Sequence, residues 1–141
     1  MLLGEHKQAI NSRGQLVLPE QVLTGLDGDL VVTRGFERNL LLFREQEWRE
    51  LAGKLLAEPI SSREVRNLRR RFFSAAEIVS PDANGRVNLP PSLREFAGIN
   101  GEVILAGMYD YIELWSVEQW LPVKEMVEAN SDGGRWDSLG V

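Results

Sequence analysis

The chain has 141 residues, no cysteine, one histidine and a formal charge of −5, from 16 Lys+Arg against 21 Asp+Glu. Its length suits one compact domain or two small modules, and its composition excludes disulfides, thiolate metal sites and any multi-histidine centre, leaving His6 as the sole histidine. No apolar run approaches the roughly 18 residues of a membrane span, and Met1-Leu2-Leu3-Gly4-Glu5 lacks a secretory signal's basic start, which predicts a soluble cytoplasmic protein with no membrane partner.

In chain order, a short strand around His6 leads to a turn at Asn11–Gly14, where Asn bonds its own backbone and Gly accepts positive φ. A second strand, Gln15–Leu18, ends at Pro19, and a short helix over Pro19–Leu23 follows, since proline suits a helix's first turn. Strands at Asp29–Thr33 and Leu40–Phe43 flank a polar turn, and a longer helix comes next. Pro59 stops that helix. Ser61 and Glu64 then have capping-box spacing for a helix over Ser62–Ala76, with Val65, Leu68, Phe72 and Ala75 as its apolar stripe and Arg63, Arg66 and Arg70 on another face. A strand from Glu77, a turn at Asp82–Gly85, a strand at Arg86–Leu89, Pro90 and a helix at Pro91–Phe96 repeat the opening plan. Strands at Glu102–Ala106 and Tyr111–Trp115 and a final helix capped by Ser116 and Gln119 complete it. The composition after Val127 predicts a frayed tail.

The organising feature is this internal repeat. His6–Pro19 matches Glu77–Pro90 at an offset of 71; at an offset of 72, Val31-Val32 meets Val103-Ile104, Gly35 meets Gly107 and Trp48 meets Trp120. The predicted division is residues 5–48 for the first copy, 49–75 for a linker with the arginine-rich helix, 76–121 for the second copy, and 122–141 for the end of the last helix and a flexible tail.

Charge follows the division. Residues 60–76 carry +4 and residues 77–141 carry −7, so the first 76 residues sum to +2 despite a pI near 5.0. An acidic average is therefore a weak argument against an anionic ligand, because local field decides what a face attracts.

Enzyme motifs are absent: there is no phosphate loop ending in Lys-Ser/Thr, no G-x-G-x-x-G after a strand and no G-x-S-x-G. His6 has no evident nucleophile partner, and Asp27/Asp29 and Asp110/Glu113 read as solvated turn carboxylates. No cofactor is expected. The two turns are better candidates, as plain hairpins or as a ligand surface. Tight turns display backbone N–H groups and side chains that position phosphates and read base edges, and two related turns can engage adjacent stretches of a helical ligand.

The run Asp82-x-x-Gly85-Arg86-Val-x-Leu-Pro90 resembles the SpoVT/AbrB-type swapped-hairpin module, and two such modules joined by an arginine-rich helix resemble the MraZ family over roughly residues 4–128. The resemblance implies a mainly β, α+β fold: two tandem repeats forming a pseudo-dimeric, interleaved β-barrel with flanking helices. It implies a transcription regulator that binds double-stranded DNA repeats upstream of a cell-division and cell-wall gene cluster. It further implies a ring-shaped homo-oligomer associated with the nucleoid, and it makes Arg86 and its first-copy counterpart the central basic positions.

The first copy departs from the family's pattern, with Asn11 in place of Asp and Gln15 in place of Arg. Glutamine lacks the guanidinium fork but still hydrogen-bonds adenine, while Lys7 and Arg13 stand nearby for phosphate contacts. The candidate DNA-binding set is Lys7, Asn11, Arg13, Gly14, Gln15 and Arg86, with Asp82, Gly85, Pro19 and Pro90 as turn residues. The competing reading is an oligomeric protein-interaction module whose DNA contacts have decayed; an enzyme using His6 with a carboxylate stands third.

Overall fold

The computed structural model describes residues 1–129 and 136–141. The elements are β1 (Glu5–Ala9), β2 (Gln15–Val17), α1 (Glu20–Leu23), β3 (Leu30–Arg34), β4 (Leu40–Arg44), α2 (Glu45–Leu56), α3 (Arg63–Phe72), β5 (Glu77–Val79), β6 (Arg86–Asn88), α4 (Pro91–Ala97), β7 (Glu102–Gly107), β8 (Ile112–Trp115) and α5 (Val117–Ala129), followed by a 3-10 turn at Asp137–Leu139. The fold is α+β, and every strand pair is antiparallel.

The copies are interleaved. The first copy's opening strand β1 pairs with β7 of the second, and the second copy's opening strand β5 pairs with β3 of the first. These pairs build a six-stranded sheet, β1-β7-β8-β4-β3-β5, while β2 and β6 pair as a separate two-stranded ribbon. Two pairs lie on the pseudo-twofold axis: Leu41 faces Glu113 between β4 and β8, and Leu16 faces Val87 between β2 and β6. Neither copy buries its apolar face alone. Leu16, Leu30, Val32, Leu40 and Leu42 share one core with Val87, Leu89, Val103, Leu105 and Leu114. Period-two alternation turns Leu41 and Phe43 to the opposite face, where Phe72 of α3 and Trp48 and Leu51 of α2 cover them.

Strand register corrects the repeat alignment. Lys7 pairs with Ile104, and its counterpart Ile78 pairs with Val31, so Val31 corresponds to Ile104 and not to Val103. The offset is therefore 73 across β3 and β7 and returns to 72 at β4 and β8. Left-handed Gly25 and Gly98, and Gly28 and Gly101, agree with this offset. Helix α4 is thus longer than α1 near its end, and Phe96 falls in the inserted stretch with no first-copy counterpart. The Gly35–Gly107 match is out of register, because the β3–β4 loop is longer than the β7–β8 loop. A one-residue slip would turn every side chain to the wrong face of the sheet, which is why burial decides where glycine identity misleads.

Local expectations shift by a residue or two. Pro19 and Pro90 sit at the N-cap positions with φ −58°, and Pro91 occupies the first helical turn. The cap of α3 is Ser62, whose hydroxyl accepts the Val65 N–H at 3.4 Å, not Ser61, because the helix begins at Arg63. Ser116 caps α5 as expected, accepting the Gln119 N–H at 3.1 Å. That helix runs on through Ala129, beyond the predicted start of the tail; Asn130–Arg135 lie outside the described residues. Val65 and Phe72 of α3 are buried, and Thr33 Oγ1 donates to the Phe72 carbonyl at 2.7 Å, tying the helix's C-terminus to β3.

Candidate nucleic-acid interface

The two predicted turns are copies of one hydrogen-bonded device. In the first, Asn11 Oδ1 accepts the N–H groups of Arg13 (3.0 Å) and Gln15 (2.9 Å), and the Gly14 N–H returns to the Asn11 carbonyl. In the second, Asp82 Oδ1 accepts the N–H groups of Asn84 and Arg86, both at 2.9 Å, and the Gly85 N–H returns to the Asp82 carbonyl. Gly14 (φ +81°) and Gly85 (φ +75°) occupy the left-handed region that the turn requires. Each turn is anchored by the other copy: the Gly14 carbonyl accepts the Leu89 N–H at 2.8 Å, and the Gly85 carbonyl accepts the Leu18 N–H at 3.0 Å.

The departures in the first copy form a matched pair. Arg86 Nε donates to Asp82 Oδ2 at 3.1 Å, and in the first turn Asn11 Nδ2 donates to Gln15 Oε1 at 3.0 Å. An amide pair thus replaces an ion pair of the same reach. Both pairs carry zero net charge, so Gln15 in place of Arg costs the turn no net positive charge while Asn11 is present. Arg13, exposed and opposite Asn84 in the repeat, leaves the first turn at +1 and the second at zero. The backbone N–H of Arg86 is the main cause that holds the Asp82 carboxyl below its ordinary value of 3.8, opposed by desolvation and helped by the Asn84 N–H and the Arg86 guanidinium.

Between the turns lies the ribbon. Leu16 and Val87 point into the core at 2% exposure, so alternation directs Gln15, Val17, Arg86 and Asn88 outward. Gln15 faces Asn88 and Val17 faces Arg86 across the strands, placing the turns at opposite ends of the ribbon. Gly14, level with Leu89, and Gly85, level with Leu18, are four residue rises apart along the ribbon, roughly 13 Å. The major groove, about 12 Å wide, admits a two-stranded ribbon, and the outward side chains suit its edges: amides for adenine, guanidinium for guanine, an apolar group for the thymine methyl.

Of the other candidates, Lys7 lies on edge strand β1, its ammonium 3.5 Å from Glu102, so its charge is partly offset. His6 Nε2 lies 3.2 Å from the Leu3 carbonyl and 3.1 Å from the Gln21 amide. On α3, Arg66 donates to the carbonyls of Ile60 and Ser61 and Arg70 to Asn67, so two members of the predicted arginine face serve local structure.

Residue-by-residue reading missed Asn88, Val17 and Arg94. The alternation of Gln15-Leu16-Val17 against Arg86-Val87-Asn88 could have found the first two. Arg94 donates to the Leu89 carbonyl at 3.0 Å, and a Cβ built on Gly14 would lie 2.6 Å from its Nε. Helix α4 of the second copy therefore places a guanidinium against the turn of the first. At the other end Leu23 Cδ1 fills the equivalent place over Gly85.

Both halves of the chain, residues 1–71 and 72–132, match the family model described as MraZ protein. The chain is 43% identical over 123 residues to the transcriptional regulator MraZ of Herpetosiphon aurantiacus, covering 87% of this chain and 86% of that one. It is 38% identical over 131 residues to the protein of that name in Roseiflexus castenholzii, covering 93% and 92% of the two chains. The protein so named in Clostridium beijerinckii is 31% identical over 142 residues and covers the whole of both. With two matched repeats, and relatives aligned over most of their length, the chain belongs to the MraZ family.

Proposed function

We propose that this protein is a transcriptional regulator that binds promoter DNA repeats upstream of a cell-division and cell-wall gene cluster, inserting the β2–β6 ribbon into the major groove. The observation that carries the reading is the ribbon's outward face, Gln15, Val17, Arg86 and Asn88, bounded by two turns of which the first carries the exposed Arg13, a side chain suited to a phosphate. The transcriptional regulators to which the chain is similar support the regulatory role.

One ribbon makes few contacts, and a homo-oligomeric ring would present several to successive repeats, raising apparent affinity when the spacing permits simultaneous engagement. The exposed Leu121, Met126 and Val127 of α5 offer apolar area for contact between copies. A ring of this kind, resident on DNA, would be found with the nucleoid. Among the described residues no helix is long and apolar enough to cross a membrane.

The test is retardation of a duplex carrying the chain's own upstream sequence, beside a scrambled duplex, with light scattering of the free protein. The reading requires tighter binding to the upstream duplex, affinity that falls steeply with salt, and a mass several times that of the 15.9 kDa chain. Equal binding to both duplexes, or a monomer, contradicts it.

A further inference from the structure

A second concentration of positive charge lies away from the ribbon. The guanidinium carbons of Arg34, Arg38 and Arg71 lie 5.0, 5.5 and 5.5 Å from the centroid of the Phe96 ring. They come from the end of β3, the β3–β4 loop and α3, so the tertiary fold gathers them. Arg71 is committed, donating to the carbonyls of Gly35 (2.7 Å) and Glu37 (3.4 Å). Arg38 makes one long bond to the Phe96 carbonyl, at 3.4 Å. The Arg34 guanidinium makes no hydrogen bond among the described residues, and none of the three pairs there with a carboxylate. Glu37 in the same loop and Glu95 beside Phe96 are the acidic residues nearest the cluster in sequence. Three guanidiniums sharing one ring repel each other, and most of their N–H donors have no protein acceptor among the described residues; an oxyanion relieves both conditions.

The cluster belongs to one end of the molecule. Helix α4 joins it to the first turn: Arg94 reaches Gly14, and Phe96, two residues on, carries the arginines. The pseudo-twofold mate of this surface is nearly bare of cations. Leu23 stands for Arg94, Asn84 for Arg13, Gly107 for Arg34, and Phe96 has no counterpart. A symmetric fold therefore carries an asymmetric field. Arg86 at the second turn is paired with Asp82, whereas Arg13 and Arg94 stand at the first turn and Arg34 and Arg38 lie further along α4, at Phe96.

We propose that the Arg34–Arg38–Arg71 cluster on Phe96 binds DNA backbone phosphates, so that the duplex lies toward the first turn and crosses α4 to reach it. The inference rests on the DNA-binding reading above. It assigns phosphate contacts and not base contacts, so it predicts affinity without discrimination.

The test compares the full chain with Arg34→Gln/Arg38→Gln and with Arg34→Lys/Arg38→Lys, leaving Arg71 in place for its bonds to the loop carbonyls. Dissociation constants for upstream and scrambled duplexes are measured at several salt concentrations, with a thermal melt and mass for each variant. The glutamine pair is expected to bind both duplexes more weakly by the same factor, and to flatten the slope of log K against log salt by about 2, at roughly 0.9 per phosphate. The lysine pair is expected to keep the wild-type slope. An unchanged slope in the glutamine pair overturns the cluster's role while leaving ribbon binding intact. A lysine pair as defective as the glutamine pair replaces the phosphate role with packing on Phe96. Loss of the oligomer at unchanged affinity per protomer assigns the cluster to an acidic face of a second copy instead. Wild-type protein that binds neither duplex overturns this inference together with the reading beneath it.

Discussion

The Asn11 amide donates to Gln15 Oε1 at 3.0 Å, in the place where Arg86 donates to Asp82 at 3.1 Å on the other side of the pseudo-twofold. The two turns differ in kind at both positions, an ion pair in one and an amide pair in the other, and share the same backbone bonds. The first turn is therefore intact and its Arg13 is exposed with no ion pair among the described residues.

Gln15→Arg places a guanidinium beside a neutral Asn11, adding one uncompensated positive charge. Binding to upstream DNA should tighten and the salt slope should steepen by about 1. Adding Asn11→Asp to that variant should return the slope toward the wild-type value, because the carboxylate takes the new charge into a pair. Titrations at two salt concentrations check both.

The two turn glycines should differ in tolerance. A Cβ on Gly85 would meet Leu23 Cδ1 at 2.5 Å, the end of a flexible side chain, whereas one on Gly14 would meet the Leu89 carbonyl oxygen at 2.8 Å as well as Arg94. Both alanines suffer left-handed strain of about 1–3 kcal/mol. Gly14→Ala should cost more than Gly85→Ala in urea unfolding, because backbone cannot rotate away. Equal losses would mean that strain alone sets the cost.

Thr33→Val keeps the shape of a buried side chain but removes its 2.7 Å bond to the Phe72 carbonyl. The loss should be about 1–3 kcal/mol, the cost of leaving a buried acceptor unpaired. The C-terminal turn of α3 should also exchange its amide hydrogens faster than its first turn does.

Two carboxylates should titrate with opposite effects on stability. Asp82 has a lowered folded pKa, so its contribution is present above its ordinary 3.8 and is lost as pH falls through the lower folded value. Amides of Asn84 and Arg86 should lose protection in that acid window, while those of Arg13 and Gln15, held by the non-titrating Asn11, should not. Burial pushes Glu113 above its ordinary 4.5, opposed by the Trp115 N–H that it accepts at 3.0 Å. Its contribution is therefore favourable below 4.5 and lost as pH rises through the raised folded value. Glu113→Gln should raise the melting temperature at pH 7 and have less effect in acid; a lower melting temperature at pH 7 would contradict this.

Much of the local plan was legible in the sequence, because turns, caps and strands are written in short-range chemistry. Asn11–Gly14 and Asp82–Gly85 announced their turns, and Ser116 its helix. The exchange of β1 and β5 between the copies is a long-range pairing that no local pattern encodes, and the family resemblance alone implied it. Identity also misled where insertions cancel: Gly35 matched Gly107 by residue type, while burial aligns Val31 with Ile104. Arg94 was visible as an arginine of the second copy. Its place against Gly14 of the first follows from interleaving, which alignment along the chain cannot display. The arginine cluster on Phe96 escaped for the same reason, since its members lie far apart in sequence.

The central claim is that an intact first turn, on a chain of acidic average charge, engages DNA through Arg13. The most direct test is the affinity of wild type and Arg13→Ala for the upstream duplex at low and at physiological salt. The account predicts salt-sensitive wild-type binding, with Arg13→Ala weaker at both salts and its slope shallower by about 1. A fully folded wild type that fails to retard the duplex at low salt, or an Arg13→Ala variant with unchanged affinity and slope, would contradict it.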